Sequence, residues 1–104
     1  MAFAKKNGLD LAKTIAVVSG GAAKSWQLEN LGPKMVAHDF RPGFMIDLMQ
    51  KDLRLVMQSA AEANCPLATS AIVHQLFASA QSHGHGRDGT QAIFAVMEAL
   101  AKLA

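Results

Sequence analysis

Asp52 is the first residue in this chain whose type and place suggest chemistry. On a helical wheel over residues 44–60, stepped at about 100° per residue, the apolar arc runs from Phe44, Leu55 and Leu48 through Met45, Val56, Met49, Ala60, Leu53, Ile46 and Met57. Gln50, Arg54, Asp47 and Gln58 fall on the polar arc. Asp52 falls inside the apolar arc, between Leu48 and Met45. A bare buried carboxylate is expensive, so it must be paired, hydrogen-bonded or neutralised. It is therefore either a structural aspartate held by a neighbouring helix or loop, or a site residue facing a cleft. Lys51, at the rim of the same face, could present its ammonium to an anionic ligand. Its plainer role is a solvated lysine whose stem covers apolar surface.

Other groups carry less. Gly20-Gly21-Ala22-Ala23 before a helix suits either an anion site at a helix N-terminus or a C-cap with tight packing. No G-x-G-x-x-G follows a strand and no Walker loop is present, so the chain has no dinucleotide-binding unit of its own. His83-x-His85, with His74 and Cys65, invites a metal, but the spacing matches no zinc pattern and glycines flank both loop histidines. No metal site is expected. His74 reads as a core-edge histidine with a backbone partner, and Trp26 as a core or interface anchor. No Ser/His/Asp or Cys/His nucleophile is legible.

The elements that must position these residues are helices. Glycines and prolines punctuate segments of helical period, and no strand-like alternation runs for long. Ala2 to Asn7 reads as the end of a helix closed by Gly8. So short a helix has little reason to form alone, so the chain is expected to begin inside a longer element of a parent protein. Asp10 can cap a second helix to about Ser19. A third is expected from Ala22 to Leu31, stopped by Gly32-Pro33, with a short piece over Lys34 to Ala37. The fourth runs from about Met45 to Asn64. Pro66 opens a fifth at its N1 position, ending near Ser82. Asp88 or Thr90 can cap a last helix through Leu103, with Glu98 and Lys102 paired on its wet side. The expectation is an all-α bundle of about six helices, one domain over residues 1–104, with the fourth and fifth at its centre.

Composition limits the partners. The 104 residues are 51% apolar, enough for a core, yet the chain has one Trp, five Phe and no Tyr. Six methionines suit gap-filling between helices. A net charge of +2 without a basic run argues against nucleic acid. No apolar run approaches the roughly 20 residues that span a bilayer, and the N-terminus is not a signal peptide. A single cysteine suits a cytoplasmic compartment.

Phe40-Arg41-Pro42-Gly43-Phe44, followed by Leu48-Met49-Gln50-Lys51-Asp52-Leu53, resembles the F-x-P-G-F…L-x-x-K-D-L signature of the β-hydroxyacid dehydrogenases, the family of 3-hydroxyisobutyrate dehydrogenase and tartronate semialdehyde reductase. Gly8-Leu9-Asp10, the Gly20/Ser25 region, Pro33-x-Met35, Pro66-Leu67 and the glycine loop before Asp88 agree in order and spacing. The resemblance implies a C-terminal helical domain like that of 6-phosphogluconate dehydrogenase, paired in the parent with its own N-terminal Rossmann domain that binds NAD or NADP. It implies Phe44 as a wall of the substrate and nicotinamide pocket, Lys51 as the lysine that reaches cofactor and cleft, and Asp52 as the neighbouring acid that shapes the site. The family's general acid/base lysine belongs to a G-x-x-x-K-x-x-N-N motif well upstream of the G-L-D segment. Lys5 and Lys6 stand too close to Asp10 to inherit that role, so no catalytic residue is assigned. The implied parent is an oxidoreductase acting on a small carboxylate-bearing 3-hydroxy acid or semialdehyde, with this chain inactive alone and prone to form homo-oligomers. The alternative is a free-standing helical dimerisation module without a catalytic role.

Overall fold

The computed structural model describes residues 1–103. Its helices are α1 (Ala2–Lys6), α2 (Leu11–Ser19), α3 (Trp26–Val36), α4 (Ile46–Glu62), α5 (Ala68–Ser82) and α6 (Ile93–Leu100), the last entered through a 3-10 turn over Thr90–Ala92. Among the described residues there is no strand, only an isolated antiparallel bridge between Met45 and Gly89. The all-helical class and the count of six are as expected. No described helix is long and apolar enough to cross a membrane.

Capping explains the starts of α2 and α3. The Asp10 carboxylate accepts from the Lys13 amide and the Ser25 hydroxyl from the Leu28 amide, each at 3.0 Å. Gly8, with φ +70°, closes α1. The helix α3 departs from expectation: it begins at Trp26 and passes through Gly32-Pro33 to Val36. A proline normally bars the helical conformation to the residue before it, through a clash that involves that residue's Cβ. Residue 32 is glycine, so that clash is reduced. Gly32 is also buried against Ile15, whose Cδ1 lies 3.1 Å from where a Cβ would stand. Lys34 to Ala37 is thus the end of α3 rather than a separate piece. Gly20 caps the C-terminus of α2, and a loop separates Gly20-Gly21 from α3. No helix N-terminus stands over these glycines, so an anion site there is excluded. Pro66 lies just outside α5, whose N-cap is Leu67. Neither Asp88 nor Thr90 caps the last helix by its side chain; Gly89 precedes the 3-10 turn, and α6 ends at Leu100.

Ile46 of α4, Phe77 and Ala80 of α5, and Ala92 and Val96 from the last segment form the core. The helix α5 packs between α4 and α6, while α2 packs on α3. The chain covers only half of the apolar arc of α4. Ile46 and Gln50 are fully buried, and Met49, Leu53 and Met57 are half-buried. Leu48, Leu55 and Val56 are open to solvent, Leu55 at 60% exposure. Asp52 belongs to the open half, so its expected burial is corrected. Gln50, expected on the wet side, is buried instead.

Glu98 corrects the expected surface pair with Lys102. It is 7% exposed and joins three parts of the chain. Lys5 Nζ donates to one carboxylate oxygen at 2.5 Å, and His38 Nε2 stands 2.8 Å from the other. Lys102 lies past the end of α6 with φ +52°. The contact gives α1 a tertiary reason to be helical that its length does not supply. Burial pushes the Glu98 carboxyl up, but the hydrogen bonds from Lys5 and His38 together outweigh it and hold the group below the usual 4.5. A carboxyl whose folded value is depressed stabilises fully above its unfolded value and loses that contribution as pH falls through the folded one. Glu98→Gln is therefore expected to lose about 2 kcal/mol at neutral pH, about 10 °C in Tm for a domain of this size. Its thermal stability should also decline less steeply below about pH 4.5. Thermal melts from neutral to acid pH check both, and superimposable curves for the two proteins would remove the role given to Glu98.

Candidate functional site

The turn that carries Phe44 is built by two segments far apart in sequence. Within it, Arg41 Nε and Nη2 donate to the Asp39 carboxylate at 2.8 and 2.6 Å. Side-chain hydrogen bonds from Arg41, aided by its backbone N–H, hold the Asp39 carboxyl down to about 2. From the far end of the chain, the Gly89 amide donates to the Phe40 carbonyl at 2.8 Å and the Thr90 amide to the Phe44 carbonyl at 3.0 Å. The Ile46 and Asp47 amides at the start of α4 donate to the carbonyls of Asp88 and Gly86, at 2.9 and 2.8 Å. Gln91, 1% exposed, spends both amide hydrogens on the carbonyls of Asp39 and Arg41, at 3.0 and 2.9 Å. A Cβ at Gly89 would collide with the buried, hydrogen-bonded Gln91 amide, so that position needs glycine, whereas one at Gly86 would meet only the exposed Asp47 carboxylate, which can move.

This clamp sets Phe44 on the wall of a cavity of about 430 Å³, lined also by Trp26, Leu31, Lys34, Met49, Thr90 and Gln91. Phe44 is 41% exposed. Lys51 and Asp52 do not line this cavity. They lie beyond it on the open half of α4, in the second turn of a helix that begins two residues after Phe44. Their side chains are each about half exposed, and Lys51 Nζ stands 3.2 Å from Asp52 Oδ1. An exposed pair of this kind contributes only about 0–1 kcal/mol. Among the described residues no other hydrogen bond or ion pair holds either side chain. Phe44, Leu48, Lys51, Asp52 and Leu55 thus form an outward strip with apolar ends and a charged middle.

Several polar residues escaped the wheel. Gln50 Nε2 donates to the His74 carbonyl and to Gln81 Oε1, both at 3.2 Å, while His74 Nδ1 donates to Gln50 Oε1 at 2.9 Å. Gln81 in turn donates to Asp47 at 2.6 Å. His74 is therefore held mainly by a side-chain amide rather than by backbone, and α4 is locked to α5 by a polar relay. Composition carries no signal for this, because a glutamine beside Asp47 and Arg54 on a wheel looks solvated. Gln91 was equally silent. Trp26, at 66% exposure, walls the cavity and is no core anchor. Among the described residues no group of three or more His, Cys, Asp or Glu comes together, and Cys65 is exposed.

Comparison with known proteins identifies the family of the chain. Residues 1–97 match the family model described as NAD-binding of NADP-dependent 3-hydroxyisobutyrate dehydrogenase. The probable 3-hydroxyisobutyrate dehydrogenase-like 1, mitochondrial, of Arabidopsis thaliana is 35% identical over 98 residues, covering 94% of this chain and 29% of that protein. The 2-hydroxy-3-oxopropionate reductase of Escherichia coli is 35% identical over 99 residues, covering 95% of this chain and 34% of that protein. The crystal structure of a 3-hydroxyisobutyrate dehydrogenase from Salmonella typhimurium superposes with a TM-score of 0.87 at 30% identity, covering 91% of this chain and 33% of that one. These relatives are hydroxyacid oxidoreductases whose cofactor class is NAD(P). The chain belongs to the 3-hydroxyisobutyrate dehydrogenase family, and it spans about a third of the length of the relatives it matches.

Gln91→Leu keeps the volume and takes the side-chain donor from the Asp39 and Arg41 carbonyls. It is expected to lose about 2–3 kcal/mol, with amide exchange rising first over residues 39–46. Urea denaturation and hydrogen exchange check this; a loss below about 0.5 kcal/mol, the scale of a surface substitution, would show that the turn does not depend on the clamp.

Proposed function

We propose that this chain is the helical C-terminal domain of an NAD(P)-dependent oxidoreductase acting on a small 3-hydroxy acid or the matching semialdehyde. The observation that carries the proposal is the strip at the start of α4 and along it: the exposed ring of Phe44 and the half-exposed Lys51–Asp52 ion pair, on a chain matching the family over residues 1–97. Absence of any strand among the described residues supports the C-terminal assignment, since a nucleotide-binding unit needs strands and a Gly-rich turn.

The residues present fit one side of the cofactor's reactive end. Phe44 offers a flat apolar face and Lys51 a cation for a substrate carboxylate or a cofactor oxygen, while Asp52 orients Lys51 and shapes the pocket. When bound, the nicotinamide supplies or accepts the hydride. No group here cradles a pyrophosphate, so the chain alone binds cofactor weakly and is inactive. Its partner is the Rossmann domain of the same protein, and the general acid/base lysine belongs to the helix that joins the two domains, upstream of this chain. Lys5, engaged by Glu98, does not take that role. The parent is placed in the cytoplasm as a homo-oligomer. A dimerisation module without catalysis is the second reading, favoured by the exposure of Phe3 (81%), Trp26 and Leu55.

The test is a chimera joining this chain to the remaining two-thirds of the Escherichia coli reductase, checked for folding and NADH binding. Lys51→Ala should lower kcat/KM for the small acid or semialdehyde ten- to a hundredfold, as loss of about 1.5–3 kcal/mol from a charged hydrogen bond requires. Phe44→Ala should also lower it. Unchanged kcat/KM in both variants of an active chimera would leave the strip without a role and favour the dimerisation module.

A further inference from the structure

We propose that the cavity beside Phe44 is a site for a small organic acid with an apolar body, its carboxylate met by Lys34. At about 430 Å³ the cavity falls within the roughly 300–1,000 Å³ of small-molecule sites, and it has their make-up of apolar walls with a few polar groups. Trp26 and Leu31 of α3, Met49 of α4 and Phe44 of the turn supply the apolar walls. Among the described residues that line it, Lys34 is the one that carries a charge.

Two observations set this hollow apart from plain surface. The fold leaves the large ring of Trp26 66% exposed on its wall, apolar area that the chain itself does not cover. The Lys34 ammonium makes no hydrogen bond or ion pair with any described residue, and no acidic side chain lines the cavity to neutralise it. Its natural partner in sequence, Asp39, is already taken: Arg41 Nε and Nη2 donate to that carboxylate at 2.8 and 2.6 Å. The hydrogen bonds of Arg41 do most to hold the Asp39 carboxyl low, and the charge of Lys34 adds the smallest share. Gln91 cannot take over the role of Lys34, since both its amide hydrogens go to the Asp39 and Arg41 carbonyls.

The chemistry fixes the class of ligand. A carboxylate gains a charge-assisted hydrogen bond from Lys34, and an apolar body covers the rings of Trp26 and Phe44. A bare anion gains only the first and a neutral apolar molecule only the second. The plainer role of Lys34 is to lay its stem on apolar surface and to complement the negative end of α3, in whose last turn it stands. That role needs no ligand and gives no reason for binding to depend on the ligand's charge. Lys51 and Asp52 do not line the cavity. The site needs neither a cofactor nor a second domain, so it does not rest on the reading given to the strip.

Titration of phenylacetate into the chain tests the proposal, with neutral phenylacetamide and with acetate as controls. Trp26 is the only tryptophan, so its fluorescence reads occupancy of the cavity directly, and amide NMR maps the site. Phenylacetate should saturate, moving the resonances of Trp26, Leu31, Lys34 and Phe44, and should bind about three- to fivefold more tightly than phenylacetamide, the scale of an exposed ion pair. Acetate should bind more weakly than phenylacetate. Lys34→Gln should abolish the preference for phenylacetate over phenylacetamide, with helical circular dichroism unchanged, and Lys51→Ala should leave it in place. No saturable shift at tens of millimolar phenylacetate, shifts confined to another face, or a preference that survives Lys34→Gln would overturn the site. A preference lost in Lys51→Ala instead would move the anion to the strip, sinking this proposal while leaving the reading of the strip intact.

Discussion

Two distant stretches of this chain, 39–47 and 86–91, run against each other and share their backbone hydrogen bonds. Buried amides and carbonyls must find partners, and here each stretch supplies what the other lacks. Amides of residues 89 and 90 reach the carbonyls of 40 and 44, amides of 46 and 47 reach those of 88 and 86, and the Gln91 side chain takes the carbonyls of 39 and 41. The join fixes where α4 starts and in which direction it leaves. The positions of Phe44, of the core residue Ile46 and of the strip beyond follow from it. It also bears on the glycines of the last loop. They are read as flexible from composition, yet at Gly89 the buried Gln91 amide occupies the space of a Cβ.

The second constraint is one of coverage. The helix α4 carries more apolar surface than α5 and the last segment can cover, and about half of its arc remains open. Exposed apolar residues such as Leu48, Leu55 and Val56 here flank charged ones. The presence of those charges separates the strip from a mere packing face. The Lys5–Glu98–His38 cluster lies away from this strip and serves the opposite purpose, closing α1 and the residue-38 loop onto α6.

The helical class, the six segments and the central pairing of α4 with α5 were legible from periodicity and punctuation. Individual signals failed where tertiary contacts overrode them. Gly32-Pro33 reads as a stop, but glycine before proline reduces the local clash and its missing Cβ lets Ile15 approach, so the helix continues. Glu98 and Lys102 have ideal spacing for a surface pair, but a better-placed Lys5 and His38 capture the glutamate. A wheel assigned Asp52 and Gln50 to faces correctly by angle and wrongly by burial, because periodicity locates an apolar arc without showing which part of it the chain covers. The roles read for Phe44, Lys51 and Asp52 came from the F-x-P-G-F…K-D-L resemblance and not from the wheel. Hydrogen-bonding side chains such as Gln50 and Gln91 have no one-dimensional signature.

The adjacency of Lys51 and Asp52 has a consequence for the proposed cleft. In water the pair at 3.2 Å is nearly neutral in energy, easily made and easily broken. Once a second domain covers the strip, water is displaced and two charges are left in a poorer dielectric. Their mutual attraction does not by itself repay desolvation, because one contact leaves most of their hydrogen-bonding capacity unmet. Closure over an empty strip is therefore penalised. A small hydroxy acid changes this: its carboxylate can meet the Lys51 ammonium, and a hydroxyl can donate to Asp52, so that both charges regain partners as water leaves. Closure is then favoured only with the ligand in place. The same apolar neighbours, Leu48 and Leu55, that give the closing domain something to bury also make bare closure over the charges costly.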